Sequence, residues 1–216
     1  MNNKLTIAYL IFMISPLLFG CGATVKEKNK NNSSANSLSL HDGNEKYIRI
    51  DTKQSAVTWK GSGPLGAHTG YISISKGELM MEDNQLISGA VEVDMSTIVG
   101  DDHRSDNNLI RHLKDSDFFQ VKTFPFSAIA ITKAEVKNGE DINVTGNLTI
   151  KSITHPVSFP AKIEVENGIV NANGRLVIDR TQWGVRYNSG KFFDNLKDRA
   201  IADSIEFNFK IVAKNK

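Results

Sequence analysis

Apolar and polar residues alternate with period two along three consecutive stretches between Asp141 and Asp179. Ile142, Val144, Gly146, Leu148 and Ile150 form one series. Val157, Phe159, Ala161, Ile163 and Val165 form the next, and Val170, Ala172, Gly174, Leu176 and Ile178 the third. Successive strand side chains point to opposite faces, so each stretch predicts a strand with one apolar and one polar face. Asn167-Gly168, between the second and third series, is a strong hairpin signal, and Asn138-Gly139 marks another turn upstream. The centre of the chain therefore predicts an antiparallel meander of long strands.

The same period extends to both sides. Tyr47 to Asp51 and Ser55 to Gly61 predict a strand pair with Val57 and Trp59 on one face, and Gly66 to Lys76, Glu78 to Met81 and Ile87 to Met95 continue the series. Phe124 to Val136 resumes it. Ser204 to Ala213 closes it, with Ile205, Phe207, Phe209, Ile211 and Ala213 on one face. Alternation stops between Ser96 and Thr123, where Leu109, Ile110 and Leu113 fall on one side of a helix of about three turns that Asp106 could cap. Such a helix covers the open end of a barrel. Pairing of the last strand with the first removes exposed edges, giving an all-β, closed antiparallel barrel of about eight strands. Val185 to Asp203 has no strand pattern and reads as a lid-like functional loop.

The inward series carry small residues at their middles: Gly146, Ala161, Ala172 and Gly174. These either let strands bend around the barrel or leave volume in a lumen, where a void is costly unless a ligand fills it. One small barrel can do both. Trp59, Phe126, Leu148, Phe159, Leu176, Phe207 and Phe209 are the expected lumen wall, with simple core packing as the competing role for each. Trp183, Arg186, Phe192 and Phe193 are expected to contact the same ligand, Arg186 at the mouth. Arg180 and Arg186 carry guanidinium forks that could grip a charged ligand head, whereas Arg180 could instead pair with Asp179 or Asp194 and hold the loop.

The N-terminus changes the picture. Leu5 to Leu18 is a mostly apolar run behind Lys4, shorter than the ~20 residues a membrane-spanning helix needs. It ends in Leu18-Phe19-Gly20-Cys21, which resembles a bacterial lipobox and implies a signal peptide over 1–20 and diacylation of Cys21; an ordinary secretory signal or an N-terminal anchor is the alternative. Residues 21–44, rich in Asn, Ser and Lys, read as a flexible tether in which His41 does nothing specific, with the barrel over 45–216. Several acyl chains on Cys21 would anchor the protein to a membrane. Gly22 rather than Asp after that cysteine directs the expectation to the outer membrane, facing the periplasm.

Other chemistry is sparse. The net charge is +2 and no Lys/Arg-dense tract occurs, so a nucleic-acid partner is not expected. The single cysteine excludes an intramolecular disulfide. Asp101-Asp102-His103 with Asp106 matches neither an EF-hand nor a zinc-protease spacing and reads as a solvated acidic loop. His68, His112 and His155 are scattered, and no nucleophile elbow or phosphate loop is present. No catalytic residue, metal or cofactor is expected, and a homodimer is left open.

A set of motifs in order carries a resemblance. They are Tyr47-x-x-x-Asp51 leading to Ser55-x-Val57-x-Trp59; His68-x-Gly70; Val91-x-Val93-Asp94-Met95-Ser96 with Asp101; and Leu109 with His112-Leu113-Lys114. Asp117-Phe118-Phe119, Phe124-Pro125, Val144-x-Gly146-x-Leu148-Thr149-Ile150 and Ile178-Asp179-Arg180-Thr181-x-Trp183-Gly184 follow. Arg186-Tyr187-x-Ser189-Gly190-x-Phe192-Phe193-Asp194-Asn195-Leu196 completes the set. The domain resembles the YceI-like family, the lipocalin-like polyisoprenoid-binding proteins. That resemblance implies a barrel whose apolar lumen holds a long isoprenoid chain in the cell envelope. Binding, sequestration or transport of a polyprenyl or quinone-type lipid is the leading expectation. A stress-response or interaction lipoprotein with a solidly packed barrel, and a cryptic hydrolase in the lumen, are the alternatives.

Overall fold

Period-two patterning produces strands wherever it occurs. The structure is a computed structural model that describes residues 37–41, 46–64, 66–101 and 107–214. Its elements are β1 (Tyr47–Arg49), β2 (Ala56–Gly63), β3 (Gly66–Glu82), β4 (Gln85–Gly100), α1 (Asn107–Lys114), β5 (Phe126–Asn138), β6 (Asp141–Ile150), β7 (Ile153–Glu166), β8 (Ile169–Asp179) and β9 (Ser204–Lys214). From β2 to β9 each strand pairs antiparallel with the next, and β9 returns to pair with β2. Eight strands thus close into a barrel. The signal run, Cys21, Asp102, His103 and Asp106 lie outside the described residues.

Closure differs from the expected pairing of first strand with last. β1 pairs with neither β2 nor β9 as a ladder; it lies against the far half of β3, Tyr47 opposite Met80, and just beyond it Ile50 bridges Ala213 and Asp51 N–H donates to the Val212 carbonyl at 2.8 Å. β3 is long enough for two neighbours on one edge, β2 along its first half and β1 along its second. A three-residue strand covers that edge, and the longer β2 makes the seam with β9.

Residues expected as two strands, 66–76 and 78–81, form the single β3. Its register against β4 slips between Ile74 and Lys76. One extra residue there flips the parity, so the buried positions change from Ile72 and Ile74 to Gly77 and Leu79. The helix is shorter than expected, eight residues or about two turns. At the β7–β8 turn both Asn167 (φ 51°) and Gly168 (φ 75°) are left-handed, as a two-residue hairpin loop requires.

Residues 37–41, expected as tether, are docked on the outer wall. Glu92 of β4 accepts hydrogen bonds from the Leu38 backbone N–H and from Ser37 Oγ (3.2 Å) and Ser75 Oγ (2.6 Å). Glu78 of β3 accepts from the His41 backbone N–H at 3.0 Å and from Arg49 Nη1 at 2.8 Å, with His41 Nδ1 2.6 Å from its other oxygen. The His41 ring stacks on Tyr47 at 4.0 Å. Both carboxylates are almost wholly buried. A buried carboxylate needs donors, and this strap supplies them, which composition could not reveal. Replacing Glu92 by Ala should free the strap. Hydrogen bonds to a charged group are worth about 1.5–3 kcal/mol, so exchange protection of the Leu38 amide should fall roughly ten- to hundredfold while barrel amides keep theirs.

Candidate functional site: an apolar cavity inside the barrel

Inward side chains of the eight barrel strands do not meet. They enclose a cavity of about 630 Å³. Its wall is apolar: Val57 and Trp59 from β2, Ile72 and Leu79 from β3, Val91, Val93 and Met95 from β4, Ile142, Val144 and Leu148 from β6, and Phe207, Phe209 and Ile211 from β9. One end is covered by α1 through Asn108, Leu109, His112 and Leu113, with Phe118 and Phe119 following it. Gly61 to Pro64 of the β2–β3 hairpin, His68, Ile201 and Ala202 form the rim at that end.

Eight of the expected residues face this cavity: Trp59, Leu148, Phe159, Ala161, Ala172, Leu176, Phe207 and Phe209. Phe126 does not, because Ser127, Ile129 and Ile131 hold the inward parity of β5. Gly146 does not supply volume. It sits opposite Ile131 where the β5–β6 register slips, and a Cβ there would lie 2.7 Å from the Ala130 carbonyl oxygen. Gly174 is likewise filled: a Cβ would lie 2.3 Å from Phe209 Cζ, whose ring folds over it and packs edge-on against Phe159 at 5.5 Å. The glycines serve curvature and ring packing, and the alanines leave the space. Ile72, Leu79, Val91 and Phe118 also line the cavity; the first three lie in the alternating strands, and Phe118 follows α1.

The remaining expected contact residues have other jobs. Trp183 is buried in the short 3-10 turn Arg180–Trp183, donating its indole N–H to the Leu148 carbonyl at 3.1 Å and meeting His155 edge-on. Arg186 lies over the Phe192 ring, 4.5 Å from its centre, and neither it nor Phe192 nor Phe193 lines the cavity. Arg180 does face it, yet its fork is consumed: Nε donates to Ala202 O at 3.0 Å, Nη1 to Val185 O at 2.7 Å and Nη2 to Ile201 O at 3.1 Å. Asp203 Oδ1 stands 3.4 Å from Nη2, close enough for charge attraction but not aligned as a hydrogen bond. Burial pulls this guanidinium below its ordinary pKa, opposed by Asp203 and Asp179. Arg180 ties the 185–203 segment to the barrel end.

A catalytic pair would need a reachable base. His112 Nδ1 lies 3.6 Å from Asp117 Oδ1, while Nε2 is sealed from solvent without a hydrogen-bond partner, its ring edge-on to Tyr187 at 4.4 Å. Among the described residues no cluster of three or more His, Cys, Asp or Glu could hold a metal.

The fold and the cavity define a closed β-barrel with a hydrophobic lumen. Residues 48–213 match the family model described as the YceI-like domain, and the chain belongs to that family. A UPF0312 protein of Enterobacter sp. (strain 638) is 31% identical over 87 residues, which cover 40% of this chain and 44% of that relative's length. BcnA of Burkholderia cenocepacia superposes with a TM-score of 0.64 at 21% identity, covering 76% of this chain and 99% of BcnA. A polyisoprenoid binding domain from Saccharophagus degradans, implicated in plant cell wall breakdown, superposes with a TM-score of 0.59 at 12% identity, covering 79% and 99%.

Proposed function

We propose that this chain is a non-enzymatic carrier or sequestering protein for a long isoprenoid lipid of polyprenyl or quinone type, working in the bacterial cell envelope and held to a membrane through acylated Cys21. The carrying observation is the apolar cavity. An apolar space of this size left unfilled deprives its whole lining of partner atoms, which a hydrocarbon ligand would supply. At ~30 Å³ per methylene-sized group the same space takes about twenty carbons. Each buried CH₂ contributes ~0.8 kcal/mol, so a tail of that length is held by hydrocarbon burial with no polar grip on its head. The engaged fork of Arg180 fits a ligand held by its tail. The polyisoprenoid binding domain that shares the fold supports the choice of lipid class.

The cavity counts against a solidly packed barrel. Mass spectrometry of an organic extract of the purified chain tests the reading. An isoprenoid at near-equal molar ratio to protein is the expected result. Extracts free of lipid, or carrying only phospholipid acyl chains, would remove the proposal.

A further inference from the structure

Two polar atoms beside the cavity have nothing to bond. Trp59 Nε1 and His112 Nε2 are both sealed from solvent without a hydrogen-bond partner, and both side chains line the cavity. Trp59 is only 8% exposed. Its ring is seated over Gly70, where a Cβ would come 2.6 Å from Cζ2 and 2.7 Å from Cε2, the carbon bonded to Nε1. Buried polar groups are rarely left orphaned, because each one costs what its lost hydrogen bond to water was worth. The space that could hold a partner for both is the cavity.

Both groups stand at the same end of the barrel. Trp59 pairs with Gly70 and Gly70 with Gly100, the last residue of β4, and α1, which carries His112, covers the cavity at that end. Toward the other end Leu79, Leu86, Ile131 and Ile142 offer only hydrocarbon. The two roles are complementary. An indole N–H only donates. The Asp117 carboxylate, 3.6 Å from His112 Nδ1, draws the ring proton to that nitrogen and leaves Nε2 an acceptor. A hydroxyl accepts and donates, so it answers both. A diphosphate does not. Arg180 is the only Lys or Arg among the described residues lining the cavity, and its fork is spent on the carbonyls of Val185, Ile201 and Ala202. A charged head inside would stay unpaired.

We infer that the ligand lies with its head under α1 and its tail toward Leu79 and Leu86, and that the head is an uncharged hydroxyl, of a prenol or a quinol, which accepts from Trp59 Nε1–H and donates to His112 Nε2. This rests on the carrier reading. Burial of the tail supplies the affinity, and the two polar groups set its direction and choose its head.

The whole chain, isotope-labelled at its indole nitrogens and freed of lipid by detergent exchange, is titrated with geranylgeraniol and with the hydrocarbon that lacks only its oxygen. Trp183 already donates to the Leu148 carbonyl and is the internal reference. The alcohol should move the Trp59 N–H resonance downfield and leave that of Trp183 in place, and the hydrocarbon should produce no downfield shift. Trp59→Phe, which keeps a ring there, and His112→Leu should each weaken the alcohol roughly tenfold, the ordinary worth of one neutral hydrogen bond, with hydrocarbon affinity unchanged. Geranylgeranyl diphosphate should bind more weakly than the alcohol by at least roughly tenfold, and the tighter of the alcohol and a hydroquinone with the same tail names the source of the hydroxyl. Alcohol and hydrocarbon moving the Trp59 resonance alike, or diphosphate binding as tightly as alcohol, overturns the head assignment and leaves the carrier reading standing. Binding of none of these probes removes the carrier reading and the head assignment with it. The titration of the unaltered chain decides the matter even where a variant fails to fold.

Discussion

Arg180→Met is expected to cost about 3–5 kcal/mol, the range for breaking a buried, hydrogen-bonded charge arrangement from one side. The substitution keeps an unbranched apolar stem and removes the fork. Three carbonyls, of Val185, Ile201 and Ala202, lose their donor at once, and Asp203 loses its facing charge. The guanidinium also sits 5.4 Å from the centre of the Phe118 ring, so the helix end loses a contact too. Arg180→Lys should recover little, since an ammonium cannot aim along three fixed directions. The check is a urea titration, where such a loss moves the midpoint down by about 1–2 M. Hydrogen exchange on Phe192, Phe193 and Ile201 should rise further than on β6 or β7. A loss below ~1 kcal/mol would mean the 185–203 segment is held by something other than Arg180.

The second large effect concerns capacity. Ala161→Phe with Ala172→Phe places two rings in the cavity at positions whose side chains already face it. Displacing even four methylenes of a tail removes ~3 kcal/mol, so copurifying lipid should fall roughly a hundredfold. The fold should survive, because the rings occupy space that no protein atom fills. Val177→Phe, on the exposed face of β8, is the control that should keep its lipid. Gly174→Leu is unsuitable for this purpose. Its Cβ collides with Phe209, so loss of lipid there would report a displaced ring.

Much of this was legible in the sequence because alternation reports strand faces wherever the ladder is regular. From Asp141 to Asp179 it placed β6 and β8 within a residue or two, began β7 four residues late at Val157, and assigned Leu148, Phe159, Ala161, Ala172 and Leu176 to the inward faces. It failed where a ladder is irregular. The slip near Lys76 split β3 in two and hid Leu79, and Phe126 was placed inward with no parity assigned to its strand, where Ser127, Ile129 and Ile131 face the cavity. Small residues were ambiguous for another reason: spacing cannot tell a missing side chain that opens a cavity from one that admits a neighbour. Ala161 is the first kind and Gly174 the second. Long-range hydrogen bonding was invisible altogether. Nothing local to Glu78 or Glu92 announces that residues 37–41 will cover them, and nothing local to Arg180 announces three carbonyls across the barrel end.

Lipid in the cavity is the claim on which the rest turns, and contacts between protein methyls and ligand protons test it most directly. The chain is labelled at alanine and isoleucine methyls, purified without extraction, and observed by isotope-edited NOE spectroscopy. Cross-peaks from Ala161, Ala172 and Ile142 to unlabelled olefinic and allylic protons are the predicted result. Methyls at those three positions that see only protein protons or water would contradict it.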